Sequence, residues 1–317
     1  MEQPTATAVP TVTVGDIVAG HRVDAVLGRG GMGQVFVAHH PSIGRCALKA
    51  APADSPMGPG STDVRREAAL MTALRHPRIV RPFGSGRAVT AAGHHLTWMT
   101  MPQIPGVDLT RAGRLRAGEV LDVARQIADA LDHIHTAGII HCDVKAANIM
   151  VERTPTGRIG GATLIDFGIA RYWLRAPGPA DPSFVGTLTT APPEALRGEL
   201  CGPRSDQYGL ACTVYTMLAG FPPFLDDGTL QSALAARRFR APEPLGAVDS
   251  ALAGFDAVLR RALASDPADR FGSCGEFVRA LNSRVVPRAA TRPWIDTAPI
   301  AMSHATQLRL PQTLIPA

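Results

Sequence analysis

Ile140-His141-Cys142-Asp143-Val144-Lys145-Ala146-Ala147-Asn148-Ile149-Met150, followed at short range by Leu164-Ile165-Asp166-Phe167-Gly168, decides the reading of this chain. Asp143 and Asn148 are separated by four residues within a short connection, Lys145 stands between them, and Asp166 follows a strand-like run. Phosphoryl transfer from a nucleoside triphosphate needs a carboxylate that orients the attacking hydroxyl and takes its proton late. It also needs oxygen ligands for Mg²⁺ and cations to balance the charge that spreads over the moving group. Asp143, Asn148, Asp166 and Lys145 supply that set in an order that chance rarely produces.

Upstream, Leu27-Gly28-Arg29-Gly30-Gly31-Met32-Gly33-Gln34-Val35 contains G-x-G-x-x-G followed by x-V. Glycines at this spacing let backbone N–H groups approach phosphate oxygens without a Cβ in the way. Alone the motif is weak, and a plain glycine-rich turn is its simpler explanation. A dinucleotide fold would place a helix after it, whereas Gln34-Val35-Phe36-Val37-Ala38 alternates as a strand does, so the glycines turn a hairpin. Lys49 closes the next strand-like run, and Glu67 sits in the one helical stretch nearby. A lysine there neutralises phosphate oxygens while a carboxylate holds its ammonium in place. Taken singly, each could equally be a solvated surface residue.

The surrounding text gives the architecture. Val23–Leu27, Gln34–Ala38, Arg45–Ala50 and Leu96–Met101 read as strands, with a helix predicted over about Ser61–Leu74. Past Gly106 long amphipathic helices take over: Glu119–Ala137, stopped by Gly138, then Asp206–Ala219, Ala251–Ala264 and Ser273–Asn282. Short strands are expected at Asn148–Val151 and Thr163–Ile165. A β-rich first third joined to a helical remainder predicts an α+β protein of two unequal lobes. The expected boundaries are a flexible tail over 1–14 and a folded domain over 15–284. Within the domain the small lobe spans about 15–101, the connection 102–107 and the large lobe 108–284; a second flexible tail follows over 285–317.

In all these features the chain resembles the eukaryotic-like protein kinases, most closely their bacterial serine/threonine branch, over about Gly20–Arg284. The resemblance implies ATP held with Mg²⁺, or Mn²⁺ in its place, in a cleft between the lobes, and transfer of the γ-phosphate to Ser/Thr hydroxyls of proteins, the kinase itself included. By the same resemblance Gly28, Gly30 and Gly33 cover the phosphates. Leu27, Val35 and Ala47 roof the adenine and Met150 floors it. Lys49 holds the α- and β-phosphates, Glu67 pairs with it, Asp143 is the base, Lys145 contacts the γ-phosphate, and Asn148 and Asp166 hold the metal. Met101 stands at the back of the adenine pocket and Ile104 offers its backbone N–H to the ring. A register shifted so that Met99 takes the Met101 role would put Pro102 at the donor position, and proline has no N–H.

Further landmarks follow the resemblance. Glu194 in Pro192-Pro193-Glu194 pairs with Arg270, Asp206 ties down the catalytic loop, and Met71, His141 and Phe167 form an apolar column. Lys145 and Gly186-Thr187 point to serine or threonine as acceptor. The chain departs from the family at Cys142, where many relatives carry an arginine that pairs with a phosphate on the activation loop. Without that cation such a phosphate is not needed for activity; Ser183, Thr187, Thr189 and Thr190 are the loop candidates. Thr190 replaces a tyrosine often found before the Pro-Glu segment, which bears on the substrate groove rather than on phosphotransfer. Two other classes fit less well: a pseudokinase scaffold, which would lack one of the catalytic groups, and a small-molecule phosphotransferase of related fold.

Composition excludes several alternatives. A hydrophobic share of 45%, 19% charged residues and a net charge of +5 with no polybasic run fit a globular protein and give no reason to invoke nucleic acid. The five cysteines are odd in number and widely spaced, so neither a disulfide framework nor a zinc knuckle is expected. The N-terminus lacks a secretory pattern, and the longest apolar segment, Gly209–Phe221, is too short for a bilayer. The expectation is a soluble cytoplasmic protein without a membrane span. The pairs His39–His40 and His94–His95 lack a third ligand and read as solvated histidines.

Overall fold

The computed structural model describes residues 12–30, 33–53, 64–113, 115–173, 183–184, 186–284 and 308–309. The chain divides into two compact units, Met1–Ala73 with Arg81–Gln103, and Leu74–Val80 with Ile104–Ala317.

The first unit holds strands β1 (Ile17–Val18), β2 (His21–Gly30), β3 (Gly33–His40) and β4 (Gly44–Pro52), helix α1 (Val64–Ala73), and strands β5 (Gly84–Val89) and β6 (His95–Met101). The strands form one antiparallel sheet in the order β1-β2-β3-β4-β6-β5. Alternation divides its side chains between two faces. Val23, Phe36, Ala38, Cys46, Leu48, Ala50 and Leu96 build the core on one of them, closed over by Val12 and Val18. Residues 12–14 therefore do not belong to a flexible tail: Val12 is 2% exposed, and the Asp16 carboxylate accepts the Thr13 N–H at 2.8 Å. Helix α1 packs against β4, β5 and β6. Residues 61–63 of its expected span lie outside the described residues, as do 1–11 of the first tail.

The second unit holds β7 (Val107–Asp108), α2 (Ala117–Thr136), β8 (Ile139–Ile140), β9 (Ile149–Arg153), β10 (Ile159–Leu164), β11 (Arg171–Tyr172), β12 (Ser183–Phe184), α3 (Pro193–Leu196), α4 (Pro203–Ala219), α5 (Leu230–Phe239), α6 (Leu245–Val248), α7 (Asp256–Ala262), α8 (Cys274–Asn282) and β13 (Leu308–Arg309). The stripe Val120, Ala124, Ile127, Leu131, Ile134 turns α2 inward onto α4, α8 and β10. Each large aliphatic side chain so buried contributes about 1.5–3 kcal/mol. Helix α4 is buried around nearly its whole circumference, opens on Pro203 at its first turn and stops at Gly220, whose φ of 89° suits glycine. Ser273 caps α8 by accepting the Glu276 N–H at 3.1 Å.

Three further expectations need correction. Leu74–Val80 belongs to the second unit rather than the small lobe, because Ile79 bridges to Leu164 and the Leu164 N–H donates to the Arg78 carbonyl at 2.8 Å. The helix expected over Ala251–Ala264 is a 3₁₀ turn over Ser250–Phe255 followed by α7, with Asp249 capping the turn through the Ala251 N–H. Leu308–Arg309, within the second expected tail, pairs as β13 with β12, Ser183 opposite Arg309; the other tail residues lie outside the described residues.

Candidate active site

In the first unit, strand register gathers the expected nucleotide residues on the sheet face opposite the core. Val35 lies opposite Lys49, Val37 opposite Ala47, and Ala47 opposite Met101. Lys49 Nζ stands 2.7 Å from Glu67 Oε2, both side chains under 8% exposed. Burying that pair is tolerable only because each charge answers the other. Gly33 has a φ of +116°, and a Cβ there would meet the Ala50 carbonyl oxygen at 2.5 Å, so only glycine fits. Gly28 faces open space, and Leu27 falls where the β2–β3 register shifts and is 44% exposed. Gly30 closes the hairpin opposite Gly33.

In the second unit, the loop after β8 bears the decisive residues. Asp206, in the first turn of α4, accepts the backbone N–H groups of His141 and Cys142, each at 2.8 Å. Those bonds hold Cys142 at φ 68°, a left-handed conformation that costs a non-glycine residue about 1–2 kcal/mol. His135 Nε2 lies 2.8 Å from the same Asp206 carboxylate. Burial alone would raise the Asp206 pKa; the His135 hydrogen bond and the His135 and His141 rings outweigh it and hold the carboxyl below its usual range.

Asp143 is 3% exposed. Its Oδ1 accepts the Thr187 hydroxyl at 2.8 Å, and its Oδ2 lies 2.7 Å from Lys145 Nζ. Lys145 in turn donates to Thr187 Oγ1 at 2.7 Å, closing a triangle. The Asn148 amide nitrogen donates to the Asp143 carbonyl at 2.9 Å and to Oδ2 at 3.0 Å. Its amide oxygen is thereby turned away from Asp143. The Ile165 N–H donates to the Asn148 carbonyl at 2.9 Å, which brings Asp166, at φ 64°, beside Asn148. An amide oxygen and a carboxylate are hard donors of the kind that Mg²⁺ or Mn²⁺ takes. Met150 is half-buried on β9 opposite Asp108 and Thr163. The Ile104 N–H donates to no described backbone acceptor. His141 and Phe167 meet edge to face with ring centroids 4.8 Å apart.

Glu194 and Arg270 form a bidentate pair, 2.8 Å on each arm, with side chains no more than 3% exposed. Burial pushes the Cys142 thiol well above its usual pKa and the Asp206 carboxylate adds to the shift, so no thiolate is favoured there. The sequence reading missed His135, Asp132 and Ser205: Ser205 donates to Glu194 Oε1 at 2.8 Å, and Asp132 accepts the Cys274 and Gly275 N–H groups at 2.9 Å each. Asp132, His135 and Cys274 put ligand-type atoms within 4.8 Å of one another. A thiol must ionise to bind metal, and burial pushes Cys274 the other way, so we read the group as the cap of α8. Of the histidine pairs, His40 stacks against His21 with centroids 4.6 Å apart.

Comparison with known proteins places these residues in context. The family model described as "Protein kinase domain" matches residues 21–283. The chain is similar to the serine/threonine-protein kinase PknJ of Mycobacterium tuberculosis, 33% identical over 91% of this chain and 49% of that protein. It is also similar to PknF of the same organism, 35% identical over 86% of this chain and 57% of that protein. The chain thus spans about half the length of these curated relatives. Among solved structures, the Mycobacterium tuberculosis PknI kinase domain is 33% identical over 86% of this chain and 99% of that one, with a TM-score of 0.64.

Proposed function

Because the chain belongs to the protein kinase domain family, we propose that it is a serine/threonine kinase that moves the γ-phosphate of ATP, bound with Mg²⁺, onto protein hydroxyls. The observation that carries this reading is the Asp143–Lys145–Thr187 triangle, with Asn148 locked onto the same carboxylate. Asp143 is aimed by three donors, so it can orient an acceptor hydroxyl and receive its proton late, as the bond to phosphorus forms. Lys145 stands ready to follow the charge as it spreads onto the transferring oxygens. Lys49, held by Glu67, is the cation for the α- and β-phosphates. Leu27, Gly28, Gly30, Gly33, Val35, Ala47, Met101, Ile104 and Met150 are our assignments for the nucleotide, and Asn148 and Asp166 those for the ion. An ion held by Asn148 and Asp166 would supply positive charge against the phosphates.

Lys145 two residues past the base, and a Thr187 hydroxyl bonded to both, favour serine or threonine over tyrosine. Cys142 supplies no cation for a loop phosphate, which supports activity without loop phosphorylation. Thr187 and Thr190 are under 10% exposed, so phosphorylation of either would require the segment to open. Among the described residues no helix is long and apolar enough to cross a membrane, and all five cysteines are free thiols; we assign the domain to a reducing, cytoplasmic compartment. The decisive assay follows label from γ-phosphate-labelled ATP into protein for the wild type, Lys49→Met and Asp143→Asn. Transfer by the wild type that both variants lose is the expected result. Transfer that survives both would refute the assignment. Transfer to a metabolite but to no protein would favour a small-molecule phosphotransferase.

A further inference from the structure

Helix α5 carries a cation whose placement the reaction chemistry above does not use. The Arg237 side chain is 1% exposed, and a guanidinium taken out of water is tolerated only when its five N–H groups find acceptors. Nε donates to the Ala191 carbonyl at 2.9 Å and Nη2 to the Leu188 carbonyl. Nη1 donates to the Ala233 carbonyl at 3.0 Å and stands 3.5 Å from Asp226 Oδ2, its counter-charge among the described residues. The Phe224 ring lies 5.4 Å from the guanidinium carbon. An arginine serving only its own helix would have no reason to send donors to carbonyls 46 and 49 residues away.

Those two carbonyls belong to the turn that presents Thr187. The Thr190 N–H returns to the Thr187 carbonyl at 3.2 Å and the Ala191 N–H to the Leu188 carbonyl at 3.3 Å. Leu188, Ala191, Leu196 and Ala233 close a small apolar cluster behind the turn. Arg270, through Glu194, holds the next stretch of the same segment. The turn is therefore pinned from behind, while the Thr187 hydroxyl points to Asp143 and Lys145. An acceptor hydroxyl that comes to Asp143 comes within reach of this turn, because the Thr187 hydroxyl is bonded to the same carboxylate.

We propose that Arg237 is a positioning residue for the protein acceptor: it fixes the 187–191 turn against which the residues flanking the acceptor serine or threonine are laid. The proposal rests on the kinase reading. Lysine would keep the charge but lose the planar fork that reaches both carbonyls. The test uses the full chain, with an Asp143→Asn copy of the same protein as acceptor and ATP hydrolysis as the acceptor-free readout. Arg237→Lys is expected to stay folded while its KM for the protein acceptor rises about tenfold, with KM for ATP and the hydrolysis rate within about twofold. Arg237→Met should show the same split more strongly where it folds; where it does not, Arg237→Lys decides alone. A protein KM for Arg237→Lys within about twofold of wild type, or equal losses of transfer and hydrolysis, overturns the proposal. A wild type that moves no phosphate to protein overturns the kinase reading itself, and this proposal with it.

Discussion

The Glu194–Arg270 pair permits a quantitative test of what holds the second unit together. Arg270→Met removes both arms of a bidentate bridge and strands the Glu194 carboxylate at no more than 3% exposure, with Ser205 as its remaining donor. Stranding a buried charge costs about 3–5 kcal/mol. For a domain of this size that corresponds to a fall in Tm of roughly 6–20 °C. Glu194→Met with Arg270→Met removes the stranded charge and should recover part of the loss. Recovery will be incomplete, because Arg270 also donates to the carbonyls of Ala264, Arg204 and Ser265, which methionine leaves unanswered. Denaturant melts of wild type, both single variants and the double variant give the coupling directly. A double variant no more stable than Arg270→Met would refute the argument, since the stranded carboxylate would then not be the source of the loss.

Thr187→Val deletes two hydrogen bonds to charged groups while keeping shape, and kcat for protein phosphorylation should fall by about tenfold or more, with Thr187→Ser near wild type. Equal rates for Val and wild type would reduce Thr187 to an ordinary loop residue. Phosphatase treatment should leave phosphotransfer intact, because position 142 offers no cation to a loop phosphate; activity that returns only on rephosphorylation contradicts this. On the alkaline side, the buried thiols should cost no stability up to about pH 8.5 and an increasing amount above it. Burial raises the Cys212 pKa to about 12 and pushes Cys142 and Cys274 well up, so above that pH the unfolded thiols release protons that the folded ones keep. Urea melts at pH 8 and pH 10.5 check this, and Cys212→Ala should reduce the decline.

The sequence made legible those features that depend on spacing along the chain. The Asp143, Lys145, Asn148 cluster, the β2–β3 hairpin and the stripe on α2 are local patterns, and the chain folds them locally. Helix α5 escaped because its buried positions are Ala233, Ala236 and Arg237, two small residues and a cation that give no apolar period. Strand β5 reads Gly-Ser-Gly-Arg-Ala-Val and borrows its strand character from β6. His135 and Asp132 look like the polar side of α2; they become structural only when α4 and the start of α8 arrive beside them. Leu74–Val80 likewise gives no sign in its own text that its backbone will pair with Leu164. In each case the deciding partner lies far away in sequence.

Asp206 grips the chain at positions 141 and 142 by its main-chain atoms, so the loop's shape does not depend on which side chain position 142 carries. A substitution at position 142 would therefore leave in place the two main-chain bonds that set the course of the backbone into Asp143.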